Sequence, residues 1–163
     1  MNPRSLGRFV RDLTLVLILT FALISLTIKF LAAPWVVRGA SMSPTLRDGD
    51  RVIIDFWSYR RRAPLPGEVA LIDGPGGHPM VKRVESGPIP RSEAPFLSPF
   101  RAAESAEDWF EVRGDNPEHS SDSRNFGPVP RNRFQGRILF RYWPLRRAGS
   151  IERSASTLDD AGR

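Results

Sequence analysis

One stretch of the chain departs from all others in its hydrophobic pattern. Residues 13 to 28 read LTLVLILTFALISLTI, without a charge and with only Thr and Ser as polar members. Such a segment is apolar around its whole circumference, and no other segment is apolar enough to cover it. Sixteen residues of helix span roughly 24 Å. Continuing past Lys29 to Ala33 brings the length to roughly 32 Å, enough to cross a hydrocarbon core of about 30 Å. Lys29 can snorkel its ammonium to the interface. A cleaved secretory leader is the alternative, with Arg4, Arg8 and Arg11 as its basic start and Ala33 as its last residue. Pro34 would then follow the cut, and Leu31 is bulky where a small residue is wanted. Residues 13–33 are therefore read as an uncleaved transmembrane anchor. The three preceding arginines place residues 1–12 in the cytoplasm, although Asp12, Arg38 and Arg47 weaken the contrast.

After Pro34 the pattern changes to short β-branched runs separated by turn residues. Trp35-Val36-Val37, Arg51 to Phe56, Glu68 to Ile72, Met80 to Val84, Trp109 to Val112 and Gly136 to Phe140 are strand candidates. Asp48-Gly49-Asp50, Pro66-Gly67, Gly74-Pro75-Gly76-Gly77 and Gly114-Asp115-Asn116-Pro117 punctuate them. The expected fold is mostly β, a single domain over 34–145 behind one N-terminal helix. Residues 85–108, rich in Pro, Ser and Glu, are read as an inserted loop or cap. Residues 146–163 are polar and without aromatics, and are read as a disordered tail. No internal repeat is present.

Composition narrows the chemistry. Cysteine is absent from the 163 residues, which excludes disulfides, thiolate nucleophiles and Cys-ligated metals. His78 and His119 are the only histidines, too few for a histidine-rich metal centre, so neither a cofactor nor a metal is expected. The net charge of +6 admits nucleic acid, anionic lipid or simple solubility. Among 24 basic side chains only Lys29 and Lys82 are lysine. Arginine is never deprotonated in a protein, whereas a buried lysine can become a neutral base. Outside the hydrophobic run, Lys82 is the one cation with that capacity.

Three clusters carry candidate chemistry. Ser41 follows Gly39-Ala40 and precedes Met42-Ser43-Pro44-Thr45-Leu46; small neighbours let a peptide backbone approach. A serine needs a base to attack. His78 sits in a Gly/Pro turn and His119 in a polar loop, so both are read as surface histidines. Lys82 alternates with Met80 and Val84 on one strand face, opposite Val81 and Arg83. An apolar setting would favour its neutral form; from this segment alone a strand-edge lysine with a solvated head is the other reading. The third cluster runs from Gly114 to Gly127 and is dense in Asp, Asn and Ser. Asp115, Glu118 and Asp122 invite a calcium reading, but the EF-hand pattern is missing and such loops bond to themselves.

Taken together and in order, these features resemble the type I signal peptidases, the serine–lysine leader peptidases. The resemblance rests on an N-terminal anchor, then Ser41-Met42-Ser43-Pro44-Thr45-Leu46 with Asp48-Gly49-Asp50-Arg51-Val52, then Val81-Lys82-Arg83-Val84. It closes with Gly114-Asp115-Asn116 and Ser120-Ser121-Asp122-Ser123-Arg124 followed by Phe126-Gly127, and extends to Pro144. It implies the complex β-fold of that family. It implies Ser41 as nucleophile, with its backbone N–H in the oxyanion hole, and Lys82 as general base. Ser120 would orient the lysine, Asp122 and Arg124 would pair to support the site, and Met42 would shape it beside the nucleophile. Gly114, Asp115 and Asn116 would set the turn of the last motif. The substrates implied are exported preproteins with small residues at the first and third positions before the cut. The partners are then membrane lipid and the protein-export machinery, with no nucleic acid. The setting is the bacterial cytoplasmic membrane, crossed once, with the catalytic domain on its outer face.

The chain departs from the family at Gly39, where some members carry Ser or Thr whose hydroxyl helps hold the oxyanion. Gly67-Glu68 stands where Gly-Asp is frequent, Glu85-Ser86-Gly87-Pro88 replaces a glycine-rich stretch, and the insertion is short. Phe30, Trp35, Phe56, Trp57 and Tyr59 are read either as an interfacial belt or as core, and Arg60-Arg61-Arg62 as facing headgroups or water. A self-cleaving repressor of the SOS type shares the dyad and a similar S-M-x-P motif, but carries a DNA-binding domain where this chain has its hydrophobic run. A membrane-anchored nucleic-acid-binding protein and an inactive family member acting as a binding module are the remaining alternatives.

Overall fold

The structure, a computed structural model, describes residues 3–90 and 108–151, apart from the side chains of residues 3–6, 8, 10 and 26–31. A long helix, α1 (Pro3–Leu31), leads into β1 (Ala32–Val36). The strands β2 (Arg51–Asp55), β3 (Val69–Asp73), β4 (Pro79–Pro90), β5 (Asp108–Arg113), β6 (Val129–Pro130), β7 (Phe134–Trp143) and β8 (Gly149–Ser150) follow. Two single-turn helices, α2 (Ser58–Arg61) and α3 (Ser123–Phe126), lie between them. The strands form one antiparallel sheet in the order β1-β2-β7-β3-β4-β5-β6, with β8 added to β7. The fold is mostly β, as the turn-punctuated runs predict.

The sheet has a core on each face, and β3 shows why. Its residues Val69-Ala70-Leu71-Ile72 are all buried, an unbroken apolar run in place of an alternating one. Ala70 and Ile72 pack with Tyr59, Val84, Trp109, Phe110, Val112, Val129 and Phe134. Val69 and Leu71 point the other way, into Val37, Met42, Leu46, Val52, Ile54 and Ile138. Each fully buried side chain of this size contributes about 1.5–3 kcal/mol. The first core adds edge-to-face contacts of Phe134 with Tyr59 at 5.9 Å and with Phe110 at 5.4 Å.

Three boundaries differ from the sequence reading. The helix stops at Leu31, and Ala32 and Ala33 belong to β1, where they face Asp55 and Ile54 of β2. Alanine favours helix, but Pro34 disfavours the helical conformation for the residue before it. The segment expected to begin a loop at Glu85 continues as β4 to Pro90, with register shifts against β5 between Val84 and Ser86 and between Ser86 and Ile89. These bulges accommodate Gly87, Pro88 and Pro90, which on their own read as a turn. The rest of that expected insertion, 91–107, lies outside the described residues. The expected disordered tail is ordered through its first six residues: Leu145–Arg147 forms a turn, β8 pairs with β7, and Ile151 packs on the second core. A two-residue strand and one isoleucine are too short a signal to find in a polar segment; residues 152–163 lie outside the described part.

The aromatic residues divide. Tyr59 is core, and Trp35 and Phe56 pack against the second core. Trp57 remains 38 % exposed, with the Arg61 guanidinium 4.7 Å from its ring centre. Phe30 lies outside the described side chains. Arg62 is not free for headgroups, since it forms a two-point ion pair with buried Glu68. Along α1 the described side chains from Arg11 to Ser25 are all exposed. Among the described residues no helix is long and apolar enough to cross a membrane.

Candidate active site

Ser41 sits on the connection between β1 and β2, residues 37–50. Val37 and Asp50 close that connection by a backbone bond of 2.9 Å, and Gly49 N–H returns to Val37 O at 3.0 Å. Met42 and Leu46, one turn apart and joined by a 2.8 Å backbone bond, sink into the second core. Burying these two leaves Ser41 half-buried at the rim. Gly39, at φ +85°, makes the bend before it and donates its N–H to Asp48 Oδ1 at 2.8 Å. That donor is thereby occupied. Among the described residues the Ser41 N–H has no hydrogen-bond acceptor.

Lys82 lies on β4, opposite Ala70, and is 1 % exposed. Met80 and Val84 share its side of the strand, packing with the first core, while Val81 packs on the second, as period-two alternation requires. Its Nζ donates to Ser120 Oγ at 2.9 Å, and Ser120 Oγ donates to Asp122 Oδ2 at 2.8 Å. Burial is the largest influence on the Lys82 amine and lowers its pKa. Asp122 pulls it back upward and Arg124 pushes it down again, and the net direction is down.

Asp122 is fully buried and caps α3 in a reciprocal capping box with Asn125. It accepts from Gly114 N–H at 3.1 Å and from the Arg124 guanidinium at 2.8 and 2.7 Å. Burial alone would raise its pKa. The bonds from Arg124, Gly114 and Ser120 outweigh that and hold it well below the usual carboxylate range.

The last motif is also tied to the first and to β4. Asn116 donates its backbone N–H to Ser41 O at 3.0 Å and its side-chain amide to Ala40 O at 3.2 Å. Asp115 forms a bidentate pair with Arg83 at 2.8 and 2.6 Å, and Arg83 also donates to Gly67 O. Gly114 packs so closely that a Cβ there would stand 2.5 Å from Ser41 O and 2.2 Å from Ser120 Oγ. Two of the three carboxylates weighed for calcium are thus committed to arginines. Among the described residues no group of acidic and histidine side chains is arranged to hold a metal ion.

Of the candidate site residues, Ser41, Lys82, Gly114, Asn116, Ser120, Asp122 and Arg124 are joined by this one set of contacts. Ser41 and Lys82 line one cleft of about 300 Å³ together with Trp35, Met80, Val81 and His119. His119 is exposed, as read, but lies on the wall of the cleft, while His78 is exposed in the Pro75–Gly77 turn region. Sequence reasoning misses Asp50, Arg83, Arg141 and Arg147. The position of Arg83, directly after Lys82, is a signal that could have found it. Arg141 and Arg147 carry no local signal among so many arginines.

The family model described as signal peptidase, peptidase S26, matches residues 10–88 and 99–143. The chain belongs to this family. Signal peptidase IB of Staphylococcus aureus is 26 % identical over 163 aligned residues, covering 77 % of this chain and 85 % of that protein. A probable signal peptidase I-2 of Synechocystis is 29 % identical over 162, covering 82 % of this chain and 71 % of that protein. The chain is accordingly a serine peptidase, a hydrolase, of the type I signal peptidase group. The matched segments contain Ser41, Lys82, Ser120, Asp122 and Arg124, and stop before Arg147.

Proposed function

We propose that this peptidase is a membrane-anchored endopeptidase that removes N-terminal signal peptides from exported preproteins, with Ser41 as nucleophile and Lys82 as general base. The observation that carries the reading is a lysine amine, 1 % exposed, whose one hydrogen-bond acceptor among the described residues is the Ser120 hydroxyl, in the cleft that Ser41 also lines. A neutral amine has two N–H donors and a lone pair. One N–H serves Ser120, and the lone pair is left for the Ser41 proton.

In this mechanism Lys82 takes the Ser41 proton as Oγ forms a bond to the scissile carbonyl carbon. The Ser41 N–H donates to the developing oxyanion; losing one such donor costs other hydrolases about 3–4 kcal/mol. Gly39 offers no side-chain donor, and its own N–H is held by Asp48. As the C–N bond breaks, Lys82 returns the proton to the leaving amine. It then deprotonates the water that hydrolyses the acyl-enzyme, and Ser41 is regenerated. Asp122, kept ionised, accepts from Ser120 and so leaves the Ser120 lone pairs facing Lys82. Arg124 balances that charge.

The anchor reading is supported by α1, whose Leu15, Val16, Leu17, Ile18 and Leu19 are all exposed and so present apolar surface on every side. Ser41 comes ten residues after the helix ends at Leu31, which keeps the site near the membrane surface. A signal peptide emerging from the bilayer with small residues at the first and third positions before the cut fits that placement, as does access to lipid and the export machinery. The corresponding site is the outer face of a bacterial cytoplasmic membrane. The test is incubation of the detergent-solubilised full chain with a preprotein. Wild type cleaves at the signal-peptide junction, whereas Ser41→Ala and Lys82→Arg do not, although both remain folded. Processing by purified Lys82→Arg overturns the mechanism, because arginine cannot give up its proton.

A further inference from the structure

We propose that Asp50, Arg141 and Arg147 act as a clamp that fixes the Ser41 turn in its reactive shape, so that the C-terminal segment 145–151 serves as a strap across that turn. The inference rests on Ser41 being the nucleophile.

The turn contains outward-facing carbonyls that the sheet does not satisfy. Thr45 O accepts from Arg141 Nη1 at 2.6 Å and from Arg147 Nη2 at 3.4 Å. Pro44 O accepts from Arg147 Nη2 at 3.2 Å. Both guanidiniums also reach Asp50, Arg141 at 3.5 Å and Arg147 at 3.3 Å. Asp50 is 2 % exposed and takes the Arg47 N–H at 2.9 Å as well. One buried carboxylate thus holds two cations; both hold the Thr45 carbonyl, four residues after Ser41, and Arg147 also holds that of Pro44. Arg141 further donates its Nε to Arg147 O, which couples the turn to the strap. The strap is kept in place by β8 on β7, by the Ile151 N–H on Leu139 O at 3.1 Å, and by Ile151 on the second core.

The physical need is specific. The Ser41 side of the turn is fixed by Met42, Leu46 and Asn116, but Pro44 and Thr45 bulge away from the core. Planar guanidiniums bridging two carbonyls and a carboxylate restrict that bulge better than a point charge does. A displacement of about 1 Å in a nucleophile can cost 100-fold in rate. Nothing in the clamp touches Lys82, so its effect falls on Ser41 placement alone.

The experiment uses the full chain in detergent, as wild type, Asp50→Asn, Arg147→Gln, Arg147→Lys and the double variant Asp50→Asn/Arg147→Gln. Cleavage of a preprotein is followed well below each variant's Tm, together with amide hydrogen exchange over residues 41–50. Both single variants lower kcat about tenfold or more, leave KM within about threefold and leave the acid limb of the pH profile in place. Arg147→Lys recovers part of the loss, and the double variant falls little further than the worse single one, as for groups acting as a unit. Exchange in the turn accelerates. Unaltered kcat in folded variants, a loss confined to KM, or a shifted acid limb overturns the clamp. If the wild type cleaves no preprotein, the peptidase reading is what fails. The clamp is then decided by exchange alone: faster exchange of the turn in Arg147→Gln supports it and unaltered exchange overturns it.

Discussion

The Lys82 amine donates to the Ser120 hydroxyl at 2.9 Å, and the Ser120 O–H donates in turn to the Asp122 carboxylate at 2.8 Å. The hydroxyl thus fixes the direction of the amine without competing for its lone pair. Removing it leaves a buried lysine free to rotate about its last torsions. Ser120→Ala is therefore expected to lower kcat about tenfold to 100-fold with little change in KM. Steady-state kinetics on a preprotein check this; an unchanged kcat would show that packing alone orients Lys82.

Gly114 is a second point where the site tolerates no addition. A Cβ there would meet Ser120 Oγ at 2.2 Å, Ser41 O at 2.5 Å and Ser120 Cβ at 2.6 Å. One neighbour is backbone and the other a short side chain, so neither can swing away. Gly114→Ala is expected to abolish cleavage and to cost about 1–3 kcal/mol of stability, the range for overpacking a filled site. Thermal melts beside activity assays separate the two effects.

The candidate site residues are legible in the sequence through the order of three motifs taken together, since Ser41 and Lys82 each have an ordinary reading when met alone. Lys82, flanked by Met80, Val81 and Val84, admits either a dehydrated amine or a solvated head at a strand edge, and the structure shows it buried. The Gly114 to Gly127 cluster announces a self-bonded loop, and the structure shows its bonds reaching Ser41 and Lys82 as well. The supporting arginines Arg141 and Arg147 are not legible, since they look like any other of the 22 and are selected by an acid distant in sequence, Asp50. The strand over 85–90 is hidden for a different reason. Gly87 and Pro88 are turn formers locally, and only pairing with β5 across bulges holds them extended. The Asp48-Gly49-Asp50 motif signals a turn and adds to the family resemblance, but nothing in it shows that Asp50 is a buried anion.

Burial lowers the Lys82 pKa below 10.5, with Asp122 raising it and Arg124 lowering it in turn. The folded state then binds fewer protons there than the unfolded state. The penalty for burying the ammonium is full below the folded pKa and is relieved as pH rises toward 10.5. Two outcomes follow. In the wild type the rising acid limb of kcat/KM lies below the ordinary lysine range, since only the neutral amine is a base. Lys82→Met abolishes activity yet stabilises the fold by about 1 kcal/mol near pH 7, because an apolar chain of similar volume needs no desolvation. The gain shrinks toward about pH 10. Melts of both proteins at the two pH values decide it, and a variant less stable than wild type at neutral pH counts against a dehydrated amine.

Asp122 gives the opposite sign. Its folded-state pKa is depressed from 3.8 against the pull of burial, chiefly by the bond from Arg124 and then by those from Gly114 and Ser120. Its stabilisation is complete above about pH 4 and is lost as pH falls through the range below. Asp122→Asn removes the ion pair but keeps the shape, and leaves Arg124 unpaired. Because Arg124 keeps 43 % of its side chain in solvent, the loss at neutral pH is expected near 2–3 kcal/mol, roughly below what fully buried pairs lose. The diagnostic is the slope. The wild-type Tm drops more steeply than that of the variant as pH falls below about 4, so the two curves converge in acid. Parallel curves would mean that Asp122 stays protonated or unpaired in the folded peptidase.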